Sequence, residues 1–189
     1  MSIISFSNKF AFVKTKKVGG TSVQAFLREF LSKDDISAAV TPRDELYSIE
    51  RGLPAQNYLR SKDDELMYSS LCKERKFDDA IEFLSQSKKI ISSHASSKVI
   101  RNIIERRGVE TAEDFFIFTV ERHPYSYLLS RAKYNNRLYN SAGLIDSDFS
   151  ISELNERVEA IVNAPGFQDS LNFNLYMSDG VIDVDPRFN

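Results

Sequence analysis

One stretch near the N-terminus constrains the fold more than any other, because a strand, a glycine turn and a helix follow one another within it. Residues Phe10–Lys14 are a short apolar run that predicts a β-strand. Gly19 and Gly20 come next, and apolar residues then recur with the period of an amphipathic helix. The apolar positions of that helix are Val23, Phe26, Leu27, Phe30 and Leu31. A strand that turns directly into a helix is typical of α/β folds.

The turn also has the composition of an anion-binding loop. The first N–H groups of a helix lack intrahelical partners and carry partial positive charge from the helix dipole. Gly19 and Gly20 allow the backbone to approach a bulky anion, Thr21 and Ser22 add hydroxyl donors, and Lys17 adds a full charge. The order differs from the Walker A loop, in which the lysine follows the glycines. We predict a phosphate or phosphosulfate site, with an ordinary strand-to-helix turn and solvated lysines as the open alternative.

The composition suits a single globular domain over residues 1–189 and limits its partners. The chain is 42% hydrophobic and 28% charged, which allows a substantial core. Its net charge of -2 argues against broad electrostatic capture of nucleic acid, so an anion site must be a local cluster of cations. The single cysteine, Cys72, excludes an internal disulfide and suits a reducing compartment. Without an apolar run long enough to span a bilayer or a signal-peptide pattern, we expect a soluble, cytoplasmic protein with no stable membrane insertion, although a piece of a longer chain would look the same.

Three predicted strands alternate with helices along the chain. The strand at Phe10–Lys14 is followed by candidates at Lys89–His94 and at Phe115–Val120, the most strongly β-prone run. The continuous apolar run of the last one is typical of a strand buried on both faces of a parallel sheet. Residues 32–88 are polar and helix-compatible, and we predict a helical insertion there. The fold class is therefore predicted as α/β in three layers, with a mainly parallel central sheet flanked by helices.

Capping residues and helix breakers predict where the other elements begin and end. In the first half of the chain we predict a helix from Pro42 to a stop at Gly52–Pro54, and a break between helices near 72–76. A further helix is capped by Ser96 or Ser97 and stops at Gly108, the next starts at Pro124, and a capping box at Ser150–Glu153 opens another. The last predicted elements are a helix at Leu171–Met177, a turn at 178–180 and a strand at Val181–Val184.

Three polar side chains lie just beyond the carboxyl ends of predicted strands, where ligands bind in open α/β sheets. They are Lys17, His94 and Arg122. A planar guanidinium suits bidentate recognition of phosphate, and the hydroxyl of Ser130 can share the same group. Taken by themselves, Arg122 and Ser130 would indicate only a surface arginine and a mid-helix serine.

Two motifs in this order resemble those of the sulfotransferases that use 3′-phosphoadenosine 5′-phosphosulfate (PAPS). Residues 16–22 are Lys-Lys-Val-Gly-Gly-Thr-Ser, similar to the family's 5′-phosphosulfate loop, which is roughly Pro-Lys-Thr-Gly/Ala-Gly-Thr-Ser. Residues 122–124 are Arg-His-Pro with Ser130 eight positions after the arginine, similar to the family's 3′-phosphate motif. The resemblance implies a P-loop-like sulfotransferase fold, a branch of the α/β class.

Further similarities and several departures accompany these motifs. Residues 41–43, 56–58 and 93–95 resemble segments of bacterial members that act on carbohydrate-type acceptors, and the likeness extends roughly from Lys9 to Tyr139. Lys16 stands where the family usually has proline, Val18 where it has a hydroxyl residue, and His123 where it has asparagine. The family usually continues with further helices beyond the equivalent of the last residue, so we expect either a fragment or a minimal version of the fold.

The resemblance implies transfer of a sulfuryl group from PAPS to the hydroxyl of a carbohydrate or small alcohol. It places Lys17 and the N–H groups of residues 18–22 on the 5′-phosphosulfate, and Arg122 and Ser130 on the 3′-phosphate. This scheme needs no metal. His94 is the candidate base for the acceptor hydroxyl, since some relatives use a histidine in this region, and capping of the following helix is its alternative role. Lys14 is either a phosphate or acceptor contact or a solvated lysine.

Two other functions stay open from the sequence. The first is a nucleotide kinase-like phosphotransferase on a P-loop-type scaffold, for which Glu121 is the acid placed at a strand end. The second is a non-catalytic nucleotide-binding relative that keeps the anion pocket without turnover.

Overall fold

The alternation of strands and helices produces an α/β structure. The structure is a computed structural model that describes residues 2–108, 111–140, 150–178, 181–182 and 184. For residues 134–140 and 178 it describes the backbone and not the side chains. The chain divides into two compact units, one of Met1–Val120 with Leu175–Asn189 and one of Glu121–Asn174. The single domain over residues 1–189 stays a prediction.

The described elements comprise six strands and eight α-helices. The strands are β1 (Ile3–Ser5), β2 (Phe10–Val13), β3 (Ile36–Ser37), β4 (Phe116–Thr119), β5 (Met177–Ser178) and β6 (Val181–Ile182). The helices are α1 (Gly20–Leu27), α2 (Pro42–Glu50), α3 (Lys62–Lys73), α4 (Phe77–Gln86), α5 (Ser97–Arg106), α6 (Pro124–Asn140), α7 (Ile151–Val162) and α8 (Phe173–Tyr176). Short 3₁₀ turns cover Arg28–Phe30, Ala112–Asp114 and Gln168–Ser170.

A small mixed sheet of four strands, in the order β3-β1-β2-β4, is flanked by helices. The expectation of a mainly parallel sheet is wrong for the described strands, because β1 is antiparallel to both β2 and β3, and the β2–β4 pair is the parallel one. A four-residue turn joins β1 to β2, and so short a connection permits an antiparallel hairpin but no parallel crossover. The hairpin strand β1 was not predicted from the sequence, whereas β2 and β4 confirm two of the predicted strands.

The predicted strand at Lys89–His94 does not form. The backbone of this segment pairs with residues 58–59, where Ile90 N–H donates to the Tyr58 carbonyl at 2.8 Å and Lys89 forms an isolated bridge with Leu59. Ile91 is buried, but Ile90 is exposed and two serines follow. A single buried apolar residue is too little to hold this segment in the sheet.

Most predicted helix boundaries are confirmed. Ser96 caps α5, with its hydroxyl accepting from Val99 N–H, and Ser150 and Glu153 form the capping box of α7. Pro42 and Pro124 begin α2 and α6, and the insertion contains α3 and α4 on either side of the predicted break. The final helix is shorter than predicted, at Phe173–Tyr176, and the final strand is β6. Part of the predicted turn at 178–180 and of the strand at 181–184 lies outside the described residues.

The apolar face predicted for α1 is not its buried face, which is a second correction, because none of its five positions is fully buried. Phe26 and Phe30 are 59% and 52% exposed, with their rings packed edge to face at 5.2 Å between centroids. The buried positions are instead Gln24 and Arg28, at 0% and 3% exposure. These two residues and Gly20 are spaced by four, so they share one face of the helix. The inner face of α1 is therefore polar.

A buried ion pair explains why α1 turns this face inward. The Arg28 guanidinium contacts both carboxylate oxygens of Glu45, at 3.0 and 3.2 Å, and also donates to Ser37 Oγ and to the carbonyls of Ala38 and Leu53. Glu45 accepts in addition from two backbone N–H groups, those of Val40 and Ala55. We call these residues the Arg28 cluster. The cluster holds residues 38–55 against α1 and so sets the position of the chain at 39–42.

None of the helices in the described part of the chain combines the length and the apolar character that crossing a membrane requires.

Candidate functional site

The connection from β2 to α1 is a tight turn built on left-handed backbone. Lys17 has φ 61° and Gly19 has φ 77°, and α1 begins at the next residue, Gly20. Left-handed backbone is common for glycine but uncommon for lysine. Gly19 has no side chain, so no side chain of the N-cap residue covers the first N–H groups of α1. Ser22 N–H donates to the Gly19 carbonyl at 3.0 Å, which uses one of the N–H groups assigned to the anion.

Gly20 has a structural role in addition to the one that the sequence suggested. A Cβ atom at this position would lie 2.8 Å from both Cγ and Cε of Lys14. The missing side chain therefore makes room for the aliphatic stem of Lys14, which lies against the start of α1. Close approach of an anion to the backbone stays a prediction for this residue.

Lys14 is buried, although a solvated lysine was one expectation for it. Its side chain is only 7% exposed, and its Nζ donates to Thr21 Oγ1 at 2.9 Å. Burial lowers the pKa of Lys14 to about 8, Asp44 opposes this change and Arg28 adds to it. Because an ammonium group can only donate, the Thr21 oxygen accepts here and the hydroxyl hydrogen is free to point at another acceptor.

His94 is fixed by the backbone of Lys14. Its Nδ1 lies 3.0 Å from the Lys14 carbonyl oxygen, and a carbonyl can only accept, so Nδ1 carries the hydrogen. In the neutral ring Nε2 then has the free lone pair. Burial lowers the pKa of His94 below its usual value, the Lys14 and Lys16 charges lower it further, and the hydrogen bond to the carbonyl opposes them. The lowered pKa favours the neutral imidazole, and Ser96 caps α5 in place of His94.

Lys14, Thr21 and His94 line one open cleft of about 460 Å³, which we call the Lys14 cleft. The rest of its lining is Ala39, Val40, Thr41 and Pro42, with Ile81, Leu84 and Ser85 of α4, Lys89 and Ser93. The Arg28 cluster fixes the segment at 39–42, and backbone hydrogen bonds to residues 58–60 fix the segment around Lys89. All of these residues belong to the unit that contains the sheet.

The structure brings some of the predicted site residues together and leaves others apart from the cleft. Thr21 and His94 line it, with Lys14 between them in the network of hydrogen bonds. Lys17 and Val18 are half-buried in the turn, Ser22 is exposed, and none of the three lines the cleft. Lys14 is the functional candidate to which the sequence gave little weight. The sequence feature that could have identified Lys14 is its position directly after an apolar strand, because the burial of the strand extends to the residue that follows it.

Arg122 and Ser130 belong to the unit Glu121–Asn174. Arg122 is exposed just before α6, and its backbone N–H donates to the Glu121 carboxylate at 3.0 Å. That carboxylate also accepts from Asn172 Nδ2 at 2.9 Å. Ser130 is half-buried within α6. The assignment of Arg122 and Ser130 to a common phosphate stays a prediction.

Among the described residues, no group of three His, Cys, Asp or Glu side chains is placed to bind a metal ion. Comparisons of the chain with protein-family models, with curated proteins and with solved structures give no match. The functional assignment therefore depends on the motifs and on the geometry of the cleft.

Proposed function

We propose that the protein is a sulfotransferase that moves a sulfuryl group from PAPS to the hydroxyl of a carbohydrate or small alcohol. The observation that carries the proposal is the arrangement of Lys14, Thr21 and His94 in one cleft at the start of α1. A buried cation, an oriented hydroxyl and a neutral imidazole supply the charge stabilisation and the base that such a transfer needs.

The residues at the start of α1 suit a phosphosulfate group. Lys14 and Lys17 provide positive charge. The hydroxyl oxygen of Thr21 accepts from the Lys14 ammonium, so the hydroxyl hydrogen is available to donate to the anion. The uncapped N-terminus of α1 adds backbone donors, and we assign those of Gly20 and Thr21 to the anion because that of Ser22 bonds Gly19. When bound, PAPS supplies an activated sulfuryl group whose leaving phosphate gains negative charge. The cations and donors would stabilise that charge.

His94 is suited to act as the base. We propose that its Nε2 accepts the proton of the acceptor hydroxyl while the new bond from oxygen to sulfur forms and the bond from sulfur to the leaving phosphate oxygen breaks. The Lys14 carbonyl, bonded to Nδ1–H, would orient the ring and stabilise the imidazolium. Arg122 and Ser130 are assigned to the 3′-phosphate from the motif and its spacing, because a planar guanidinium binds phosphate in bidentate fashion.

Calorimetry tests the donor. We expect 3′-phosphoadenosine 5′-phosphate (PAP) to bind more tightly than ATP or AMP. Arg122→Gln is expected to remove the preference for PAP over AMP, while Lys133→Gln, an exposed position on α6, leaves it intact. Tight binding of ATP without binding of PAP would contradict the proposal and favour the phosphotransferase alternative, to which Glu121 would contribute.

Turnover tests the base. With radiolabelled PAPS and a panel of sugars and small alcohols, His94→Gln is expected to lower kcat by roughly 10²- to 10⁴-fold with little change in PAP affinity. The control is Lys98→Gln, an exposed position near the start of α5 and outside the cleft lining, which is expected to leave kcat unchanged. Since the pKa of His94 lies below 6.5, the acid limb of kcat/KM is expected below that pH. PAP binding without any turnover would identify a non-catalytic binding protein.

A further inference from the structure

We infer that the part of the Lys14 cleft lined by Ile81, Leu84 and Lys89 is the acceptor subsite, beside the phosphosulfate at Lys14 and Thr21, and that it selects an acceptor in which an apolar body is joined to an anionic group. This inference rests on the proposed function, and it narrows the acceptor to an alcohol that carries both an apolar body and an anionic group.

The apolar part of the cleft comes from the helical insertion. Ile81 and Leu84 on α4 contribute aliphatic surface, and Val40 and Pro42 contribute more. Ile81 is 55% exposed, so a large apolar side chain stands in water at the cleft. Covering such a surface is favourable only for a ligand with apolar surface of its own, because transfer of apolar area out of water drives the association.

The charged part of the cleft is positive. Lys14 and Lys89 both line it, and none of its lining residues in the described part of the chain carries a carboxylate. Lys14 donates to Thr21, and its carbonyl is hydrogen-bonded to His94, the residue that we propose as the base. Lys89 is exposed, lines the cleft and lies on backbone that pairs with Leu59, and we assign its ammonium to the anionic group of the acceptor. A ligand carboxylate, sulfate or phosphate matches that charge.

The size of the cleft agrees with one small molecule. About 460 Å³ lies in the range of sites for drug-sized ligands. An acceptor with its hydroxyl at His94, its apolar body on Ile81 and Leu84, and its anionic group at Lys89 would use each kind of surface that the cleft offers.

The probe is a matched pair of compounds, 4-phenylbutyrate and its neutral isostere 4-phenylbutyramide, titrated by calorimetry at low salt. We expect the carboxylate to bind more tightly by roughly three- to tenfold, as for a partly exposed charge contact. Lys89→Glu is expected to remove this difference. Lys88→Glu is the matched control, because it makes the same change of charge one residue away and outside the cleft lining. Ile81→Asn is expected to weaken both compounds equally.

Three results would overturn the inference. These are equal binding of the two compounds, an equal effect of Lys88→Glu and Lys89→Glu, or displacement of 4-phenylbutyrate by PAP, which would place the nucleotide on Ile81, Leu84 and Lys89 in the acceptor part of the cleft. A PAP titration of the same preparation separates this inference from the proposed function. PAP binding without the carboxylate preference overturns this inference alone, whereas carboxylate binding without PAP binding overturns the acceptor assignment and the proposed function together.

Discussion

Among the described residues two cations, Arg28 and Lys14, are buried beside α1, and the difference between their surroundings distinguishes scaffold from site. Arg28 makes five hydrogen bonds, two of them to the Glu45 carboxylate. Lys14 makes one side-chain hydrogen bond within the described residues, to Thr21, and it lines a cleft. A buried cation whose N–H donors are all hydrogen-bonded contributes to structure. A buried cation with unused N–H donors at a cleft is available to bind a ligand. Four predictions test this contrast.

The largest effect is expected from Glu45→Gln in the Arg28 cluster. The substitution keeps the shape of the side chain but leaves the Arg28 guanidinium buried without a counter-charge. We expect a loss of about 3–5 kcal/mol in the free energy of unfolding, measured with urea. The double variant Arg28→Met with Glu45→Met is expected to recover much of that loss, because it removes both buried charges. A loss below about 1 kcal/mol for Glu45→Gln would show that the cluster is not a scaffold.

The next effect concerns the pH dependence of stability at Lys14. The pKa of its ammonium is about 8 in the folded protein and 10.5 ordinarily, so between these values the unfolded chain binds more protons. Stability therefore rises with pH across this window, by up to about 3 kcal/mol, and below pH 8 the cost of burying the charge is present in full. Lys14→Met is expected to lack the rise in urea unfolding at pH 7, 8, 9 and 10.

Comparison of the two pH profiles isolates the lysine. Burial raises the pKa of the Cys72 thiol to about 11, and it also raises the pKa values of Tyr58 and Tyr68. These groups act in the opposite direction at high pH, but they are present in both proteins and cancel in the difference. Identical profiles would mean that Lys14 is solvated.

A smaller effect is expected at Gly20, where Lys14 lies against the helix. Gly20→Ala is expected to cost about 1–3 kcal/mol, because the new methyl group would overlap the Lys14 stem. In a Lys14→Ala background the same substitution is expected to stabilise by about 0.5–1 kcal/mol, since alanine suits a helix better than glycine. The sign change in this double-mutant cycle measures the contact. Additive effects would contradict it.

The smallest effect is expected at an exposed ion pair between the 3₁₀ turn that follows α1 and the C-terminal end of α2. Arg51 Nη2 lies 2.9 Å from Glu29 Oε1, and both side chains are close to half exposed. Arg51→Gln is expected to change the free energy of unfolding by less than about 1 kcal/mol, and by less still at high salt. An effect as large as that of Glu45→Gln would show that burial does not distinguish the two ion pairs.

Much of the secondary structure could be predicted from the sequence. The caps at Ser96 and Ser150, the proline starts of α2 and α6, and the strands β2 and β4 were all found. The prediction of a strand at Lys89–His94 was wrong, because the sequence does not show which of its two isoleucines is buried. The mainly parallel sheet was wrong because the hairpin strand β1 was overlooked.

The site was predicted in part. Thr21 was identified from its position after a glycine turn, and His94 from its position at the end of the strand expected at Lys89–His94. Both line the cleft, although that strand does not form. Lys14 received little weight because its pKa is lowered by burial in the folded chain and, to a smaller extent, by the charge of Arg28, fourteen positions along the chain. The apolar spacing of residues 23–31 correctly indicated a helix but indicated the wrong buried face.

By itself the sequence determined the local features of this protein: its turns, its caps and the order of strand, loop and helix around residues 10–31. These features depend on hydrogen bonds and backbone preferences that involve a few neighbouring residues. The tertiary structure alone decided that Gln24 and Arg28 face inward, that Lys14 is desolvated and that His94 bonds the Lys14 carbonyl. The free energy of burying a polar group depends on which distant partners meet it, and no local pattern contains that information.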